Sequence, residues 1–500
     1  MTIKVLLQKL QDLGLNFTTK HCDARILEDV NVLDVYSNSR ETHCKESIFV
    51  ATKGLTFDGH VFALDLARQG RVNALLLETA IDYDIPQIIV SDSRRAMGIL
   101  ASVIYGIPSN SLQMIGITGT NGKTTTSFIV RSILNKLNIK TGMCGTIIYD
   151  DGKKICHANH TTPEGCDLQR LFKDMVVNLC KACVMEVSSH SLAQGRVDGT
   201  KYDVAVFTNL TEDHLDFHKT MENYFEAKKL LFTKYLKTKG TSCIVVDSSW
   251  GSSLANIFSG SCITISLQDE AADIFAKVLE ENTKGTKLAL KVFKSSYIAS
   301  IPFVGRHNIY NALCAIAAIY GLGIDMERIL SVLSEVEQVP GRLEKYVLSN
   351  GVVVVIDFAH TPDGLEKVLA AMNHFSHNNL ICVFGAGGDR DKTKRPIMGS
   401  VAGSLCDKVI ITSDNPRSEE PTTIIKEIEE GLKNSNTYYE KICDRREGVY
   451  RALDIAKEGD IVVIAGRGHE THQILADKVI PLQDKNILTD WAREKCVKII

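Results

Sequence analysis

The run Ile115-Gly116-Ile117-Thr118-Gly119-Thr120-Asn121-Gly122-Lys123-Thr124-Thr125 has the residue types and order needed to hold a nucleotide phosphate. Glycines let backbone N–H groups curl around phosphate oxygens, Lys123 supplies a point charge, and the Thr124 hydroxyl can ligate magnesium. The general phosphate-loop pattern puts a glycine where this chain has Ile117; the nearest one is Gly116. A second candidate is Glu186. It ends the apolar run Ala182-Cys183-Val184-Met185 and precedes Val187-Ser188-Ser189-His190. A carboxylate at the end of an apolar strand is costly unless it meets a cation, so Glu186 is a candidate metal ligand. The third segment runs from Thr208 to His218 and includes Asp213, His214 and Asp216. It reads either as a set of oxygen and imidazole ligands or as a solvated acidic turn, and His214 and His218 taken singly are ordinarily structural.

These groups need elements to position them. Leu112 to Ile117 suits a buried parallel strand, and Ile129, Val130, Ile133 and Leu134 recur at helical spacing, so the glycine loop lies between strand and helix. Residues 1 to about 110 open with an amphipathic helix carrying Val5, Leu6, Leu10 and Leu13. Short strands follow, among them Ser47 to Ala51 and Ala74 to Leu77. Turn chemistry at Ile107-Pro108-Ser109-Asn110 marks a boundary. From 111 to 338 the apolar strands Ala182 to Val187, Val204 to Thr208 and Cys243 to Val246 alternate with helical patterns, which predicts a doubly wound parallel sheet. A second break falls near Gln338-Val339-Pro340-Gly341-Arg342. Beyond it Val352 to Ile356, Leu380 to Phe384, Lys408 to Thr412 and Asp460 to Ala465 each run into a polar or glycine-rich loop. The expected fold class is therefore α/β in three domains, 1–110, 111–338 and 339–500. Chemistry is expected in the loops after the strands.

Composition narrows the partners. The 500 residues suit about three domains. Lys and Arg total 57 against 60 Asp and Glu, a net charge of −3, so no basic field argues for nucleic acid or an anionic membrane. No apolar run approaches the roughly 18 residues of a membrane span, and the first residues lack a secretory leader pattern. A soluble cytoplasmic protein acting on small molecules is expected. The fourteen cysteines form no disulfide framework. Cys180 and Cys183 have redox or zinc spacing but no companion pair, and are expected to be buried and structural. The sequence shows no internal repeat and no low-complexity segment.

The ordered set of motifs resembles the Mur ligases, ATP-dependent amide-forming enzymes of peptidoglycan precursor synthesis. The motifs are Gly119 to Thr124, Thr161-Thr162-Pro163, Glu186 to His190, Gln194 with Arg196, Asp213-His214-Leu215-Asp216 and Ala227-Lys228. Gly305 to Asn311, Gly341-Arg342, Asp357 to Asp363, Gly387 to Asp391 and Gly466 to Glu470 follow in family order. The resemblance implies a small N-terminal UDP-binding domain, a central P-loop ATPase domain and a C-terminal Rossmann-like domain. It also implies ATP and Mg2+ as cofactors. The side-chain carboxylate of D-glutamate in UDP-N-acetylmuramoyl-L-alanyl-D-glutamate would attack the γ-phosphate, and an amine would open the acyl phosphate. Catalysis would then be positioning and charge stabilisation, with no protein nucleophile.

The resemblance assigns residues as follows. Gly119, Thr120, Asn121, Gly122, Lys123, Thr124, Thr125, Asn308, Arg342 and Asp357 would meet the nucleotide, with Asn311 capping or packing and His360 beside Asp357. Thr124, Glu186, His214 and Lys228 would hold metal, Lys228 as a carbamate, although a lysine in this setting is ordinarily an exposed helix residue. Lys123, Glu186, His214 and Lys228 form the catalytic set. Thr161, Thr162, Ser188, Gln194 and Arg196 would contact the muramoyl peptide. Ser39, together with the Gly54 to Gly59 segment, would contact the uridine diphosphate. The family's usual Asp-Ser-Arg appears here as Asn38-Ser39-Arg40. Ser413 to Pro421 contains Asp414-Asn415-Pro416-Arg417, which resembles the signature for meso-diaminopimelate addition. A guanidinium can grip the far carboxylate of diaminopimelate, which lysine lacks. As a bare sequence, the same run is ordinary turn chemistry with a surface arginine. Arg390, Asp414, Asn415, Pro416, Gly466 and Glu470 would complete that site, with Arg467 where lysine is frequent. A monomer is expected. Alternatives are a lysine-adding or folylpolyglutamate-type sibling, and a non-catalytic scaffold of the same fold.

Overall fold

The computed structural model describes the chain except residues 42–43, 55–57, 259–261, 283–284, 376 and 434, with the backbone alone for 24–26. The middle of the Gly54–Gly59 segment therefore lies outside the described residues. The chain divides into two compact units. One comprises Met1–Lys277, Ala289–Ala299 and Tyr310–Ser334, and the other Val278–Leu288, Ser300–Ile309 and Glu335–Ile500.

The first unit opens with the helix Ile3–Asp12, whose N-cap Thr2 accepts from Val5 N. Ile3, Leu6 and Leu10 are buried, whereas Val5 and Leu13, expected on the apolar face, are 44% and 50% exposed. Val5 lies about 200° around the helix from Ile3, and Leu13 is already the C-cap. A five-stranded sheet follows in the order Thr18–Lys20, Gln87–Ile89, Ala74–Leu77, Ser47–Val50, Asp34–Tyr36. It is parallel except at Thr18–Lys20.

The eleven-stranded sheet carries the phosphate loop at its centre. Gln113–Thr118 pairs in parallel with Ala182–Glu186 on one side and Tyr202–Phe207 on the other. Thr141–Cys144 extends the first flank, and Leu236–Val245 and Cys262–Ser266 extend the second, all in parallel. The register places Glu186 opposite Ile117 and Phe207 opposite Thr118. The three strands thus deliver their following loops to one edge, the crevice where open α/β sheets bind ligands. Ile117, the departure from the glycine pattern, is a fully buried strand residue. The helix Lys123–Lys136 packs on the strands Gln113–Thr118, Thr141–Cys144 and Ala182–Glu186 through Ile129, Val130, Ile133 and Leu134, all fully buried. Cys180 and Cys183 are buried free thiols, in keeping with the structural reading.

The second unit contains a six-stranded sheet in the order Glu344–Val347, Val353–Asp357, Ile461–Ala465, Leu380–Phe384, Lys408–Ile411, Tyr438–Lys441. All neighbours are parallel except the first pair. Beneath its loops Arg445 and Asp484, both with fully buried side chains, form a two-pronged ion pair at 2.7 and 2.8 Å. Arg445 also donates to Ser413 O and Ala465 O at 3.3 and 3.0 Å, tying two strand-end loops together. No described helix is long and apolar enough to cross a membrane.

Because removing one partner strands a buried charge, Asp484→Asn is expected to lower the stability of this unit by about 3–5 kcal/mol. A shifted urea midpoint in circular dichroism checks this, and an unchanged midpoint would refute it.

Candidate active site

In the first unit the phosphate loop closes onto the strand ends beside it. Gly122 has φ +87°, and a Cβ there would lie 2.2 Å from Asn311 Oδ1. Only glycine fits, and Asn311 is therefore a packing neighbour of the loop. Asn121 N donates to Asn209 Oδ1 at 2.9 Å, and Thr120 Oγ1 donates to Thr211 O at 3.1 Å. Thr124 and Thr125 begin the helix and are buried. Its N-terminus faces the loop with the positive end of its dipole.

Two lysines converge on one carbonyl. Lys123 Nζ donates to Gly119 O and Thr120 O at 2.9 Å each, and Lys228 Nζ donates to the same Gly119 O at 2.8 Å. Lys228 is 1% exposed, on the helix Met221–Leu230, with its ammonium 4.4 Å from the Tyr224 ring centroid. The bare expectation of an exposed helix lysine is thus corrected: the loop before Met221 turns this face of the helix inward. Burial, and then the adjacent Lys123 charge, hold the Lys228 pKa well below the usual lysine range.

Glu186 is fully buried, and every contact it makes is with a neutral donor. Its Oε2 accepts from Thr124 Oγ1 at 2.8 Å and Thr146 Oγ1 at 3.0 Å, and its Oε1 from Thr146 N at 2.8 Å. His214, with φ +54°, has a side chain 47% exposed, 3.5 Å from Asp213 and edge-on to His190 at 4.8 Å. Burial lowers the pKa of both imidazoles. Among the described residues no cluster of three or more His, Cys, Asp or Glu side chains is placed to hold a metal ion. The oxygen donors at the loop are instead one carboxylate and hydroxyls, a hard set suited to magnesium with phosphate oxygens and water.

The expected peptide contacts lie around Glu186. Thr161 and Thr146 share a hydroxyl contact at 3.1 Å, and Thr162 Oγ1 donates to Glu186 O at 2.8 Å and accepts from Ser188 N. Arg196 Nη1 donates to Thr162 O at 3.1 Å, and its Nε sits 3.2 Å from Glu164. Gln194 Oε1 is buried without a hydrogen-bond partner. Ser39 lies in a turn after Asp34–Tyr36, where Arg40 N donates to Asn38 Oδ1.

The second unit gathers the other group. Asn415 donates Nδ2 to Glu470 at 2.8 Å and accepts at Oδ1 from Arg467 Nη1 and Ile474 N, both at 2.9 Å. Asp414 Oδ1 accepts from Asn415 N, while its buried Oδ2 has no hydrogen-bond partner among the described residues and faces Gly466. Arg417 donates Nη1 to Gly388 O at 2.7 Å, and Arg390 is exposed nearby on the same loop as Gly388. Burial raises the Glu470 pKa and lowers that of Arg467. Arg467 is fully buried and also bonds His472 O and Leu482 O, so it is a structural post. Asp357 spends both oxygens on backbone N–H groups, Leu343 at 2.7 Å and Ala359 at 2.8 Å, and burial raises its pKa. Arg342 stacks its guanidinium 4.8 Å from the Phe358 ring centroid. His360 contacts the same ring and meets Phe358 O at 2.9 Å. Asn308 donates Nδ2 to Val304 O at 3.1 Å.

Sequence reasoning missed Thr146, Tyr224 and Asn209. Thr146 follows a strand end without a motif, Tyr224 shares a helix face with Lys228, and Asn209 stood in the ligand-rich loop with no role given.

The chain matches the family models for the Mur ligase middle domain at residues 117–319 and the Mur ligase glutamate ligase domain at 341–468. It is 43% identical to a UDP-N-acetylmuramoyl-L-alanyl-D-glutamate--2,6-diaminopimelate ligase of Clostridium botulinum over 89% of this chain and 92% of that one. It is 41% identical to the enzyme of the same name from Bacillus velezensis, over 92% and 94%. A solved structure bearing that enzyme name superposes with a TM-score of 0.70 at 28% identity, covering 99% of both chains. A structure titled MurF from Acinetobacter baumannii, 17% identical, shares the fold with a TM-score of 0.67 over 98% of each chain.

Gly122→Ala places a methyl against Asn311 in a left-handed backbone. It is expected to weaken ATP binding at least ~100-fold, because the left-handed backbone is strained by a Cβ and Asn311 must shift to admit the methyl. Titration calorimetry reads this directly, and wild-type affinity would refute it.

Proposed function

The chain belongs to the Mur ligase family, and from that premise we propose that it joins meso-2,6-diaminopimelate to UDP-N-acetylmuramoyl-L-alanyl-D-glutamate at the cost of ATP. The reaction passes through an acyl phosphate and belongs to cytoplasmic peptidoglycan precursor synthesis. The observation that carries the ATP step is the convergence of Lys123 and Lys228 on Gly119 O beside the Thr124–Glu186 pair. Residues 1–110 would hold the uridine diphosphate with Ser39, 111–338 the ATP and peptide, and 339–500 the incoming amino acid. Substrates are small molecules, and a monomer suffices for every role.

The donor set fits magnesium. Glu186 is an anion buried among neutral donors, and an unpaired buried carboxylate is costly until a cation arrives. Thr124 and Glu186 would hold one ion. His214 and a carbamylated Lys228 would hold a second. Bound magnesium would neutralise phosphate charge as two anions meet. Within the chain, Lys123 and the helix N-terminus supply fixed positive potential at the loop, so little reorganisation accompanies the transfer. Arg196 would orient the peptide carboxylate, with Thr161, Thr162, Ser188 and Gln194 lining its approach. Asn308, Arg342 and Asp357 would complete the nucleotide contacts.

Carbamylation of Lys228 is what the family resemblance implies, and its environment supports it. Burial and the Lys123 charge lower its pKa, which favours the neutral amine whose nitrogen would bond to carbon dioxide as a proton departs. Enzyme equilibrated with 13C-bicarbonate is expected to show a carbamate resonance that Lys228→Met lacks; no resonance in wild type would exclude the modification.

For the amine, Arg417 with Asp414, Asn415, Glu470, Arg390, Pro416 and Gly466 would take the far end and zwitterion of diaminopimelate. Lysine would set an ammonium against that guanidinium, so discrimination of about 10²- to 10⁴-fold is expected. Mass spectrometry of product formed from the dipeptide nucleotide with both amino acids present checks this, and lysine used equally well would sink the assignment. Lys123→Ala is expected to abolish ADP release that requires both substrates together.

A further inference from the structure

Arg417 has a left-handed backbone, φ +51°, and so does Asp389 on the facing loop, φ +54°. Non-glycine residues hold this conformation only where their surroundings enforce it. Here the enforcement is a set of cross-braces between two strand-end loops, Gly385 to Lys392 and Ser413 to Glu420. Gly388 N donates to Asn415 O at 2.9 Å, and Arg417 Nη1 returns a bond to Gly388 O. Asp389 accepts from Ser418 N at 3.2 Å and from Ser418 Oγ at 2.5 Å, while Asp389 N donates to Glu419 at 2.6 Å. A Cβ on Gly388 would fall 1.9 Å from Pro416 O, so the loops touch as closely as backbone allows.

Beneath the braces lies Arg395, a large charged side chain with no exposed surface, on the helix Lys394–Leu405. It grips Glu419 with two prongs at 3.0 and 2.9 Å, donates to Gly387 O at 3.1 Å, and reaches Glu427. Lys392 adds a contact to Glu419 at 3.2 Å. None of these groups belongs to the amino-acid site proposed above; Arg395 and Lys392 bond Glu419, and Arg395 also Gly387 O, residues that lie in the same two loops as Arg417 and Arg390. One fork thereby holds both loops, because Glu419 ends the Arg417 loop and Gly387 begins the Gly388 loop.

We propose that Arg395 and Glu419, with the Asp389–Ser418 clasp, are positioning residues that set amino-acid selectivity by holding Arg417 where a distal substrate carboxylate is met. The inference rests on the reading of Arg417 as the carboxylate partner. A guanidinium displaced by about 1 Å loses bidentate geometry and costs on the order of 10²-fold, whereas a substrate with no distal carboxylate loses nothing.

The test uses the full chain with ATP, magnesium and UDP-N-acetylmuramoyl-L-alanyl-D-glutamate, comparing meso-diaminopimelate and L-lysine in parallel. Arg395→Met and Asp389→Ala are the variants; the second removes only an exposed clasp and leaves the buried fork intact. Both are expected to lower kcat/KM for diaminopimelate by about 10- to 100-fold through KM, with kcat at saturation, KM for ATP and the lysine reaction unchanged. An unchanged diaminopimelate-to-lysine ratio in Asp389→Ala, or equal losses for both amino acids in both variants, overturns the proposal. Wild type that prefers lysine overturns the proposed function itself, and the inference with it; wild type that prefers diaminopimelate with variants of unaltered ratio overturns the inference alone.

Discussion

A carboxylate buried at the end of a parallel strand, with no cationic side chain in contact with it among the described residues, is the constraint around which the first unit is arranged. Glu186 satisfies its oxygens with two threonine hydroxyls and one backbone N–H. That arrangement meets the carboxylate with neutral donors, the setting on which the proposed magnesium site rests. The central strand explains the placement. Because Gln113–Thr118 lies between Ala182–Glu186 and Tyr202–Phe207, the phosphate loop emerges with a carboxylate on one side and the Asn209 loop on the other.

Positive charge is managed in the complementary way. Two lysines share one carbonyl oxygen, and the more buried of them loses basicity through desolvation and through its neighbour. A lysine that would sit in water on a solvated helix is here desolvated beside a second lysine, and that environment, not its residue type, lowers its basicity.

The second unit uses the same economy of contact. Arg467, Arg445 and Arg395 are all fully buried, and each is tied to carboxylates or carbonyls at strand ends. Buried guanidinium forks brace the loops that carry Asp414, Asn415 and Arg417. Asp414 Oδ2 lies beside Gly466 with no hydrogen-bond partner among the described residues. Rigidity beneath the loops and open valence above them are what a selective site requires.

Much of this was legible in the amino-acid sequence. Apolar runs marked most of the named parallel strands to within a residue or two, since a strand buried on both faces must be continuously apolar; the strand expected from Cys243 begins at Leu236, where its first residues are polar, and Thr141–Cys144 and Cys262–Ser266 carried no such run. The ordered motifs identified the phosphate loop, Glu186 and the Asp414–Arg417 loop, because those groups are local in the chain and carry their chemistry in short spacing. What only tertiary structure decided is burial and partnership across long sequence separations. Lys228 looked exposed until the fold brought it to Gly119 O, 109 residues away in sequence. Thr146 carried no motif, yet it supplies two of the three donors to Glu186. The backbone N–H groups that hold both Asp357 oxygens, from Leu343 and Ala359, could not be read from its motif. Residue type and spacing determine which chemistry is available; desolvation and geometry, which arise only when distant segments meet, determine which of those groups keep a charge, lose it or leave a bond unmade.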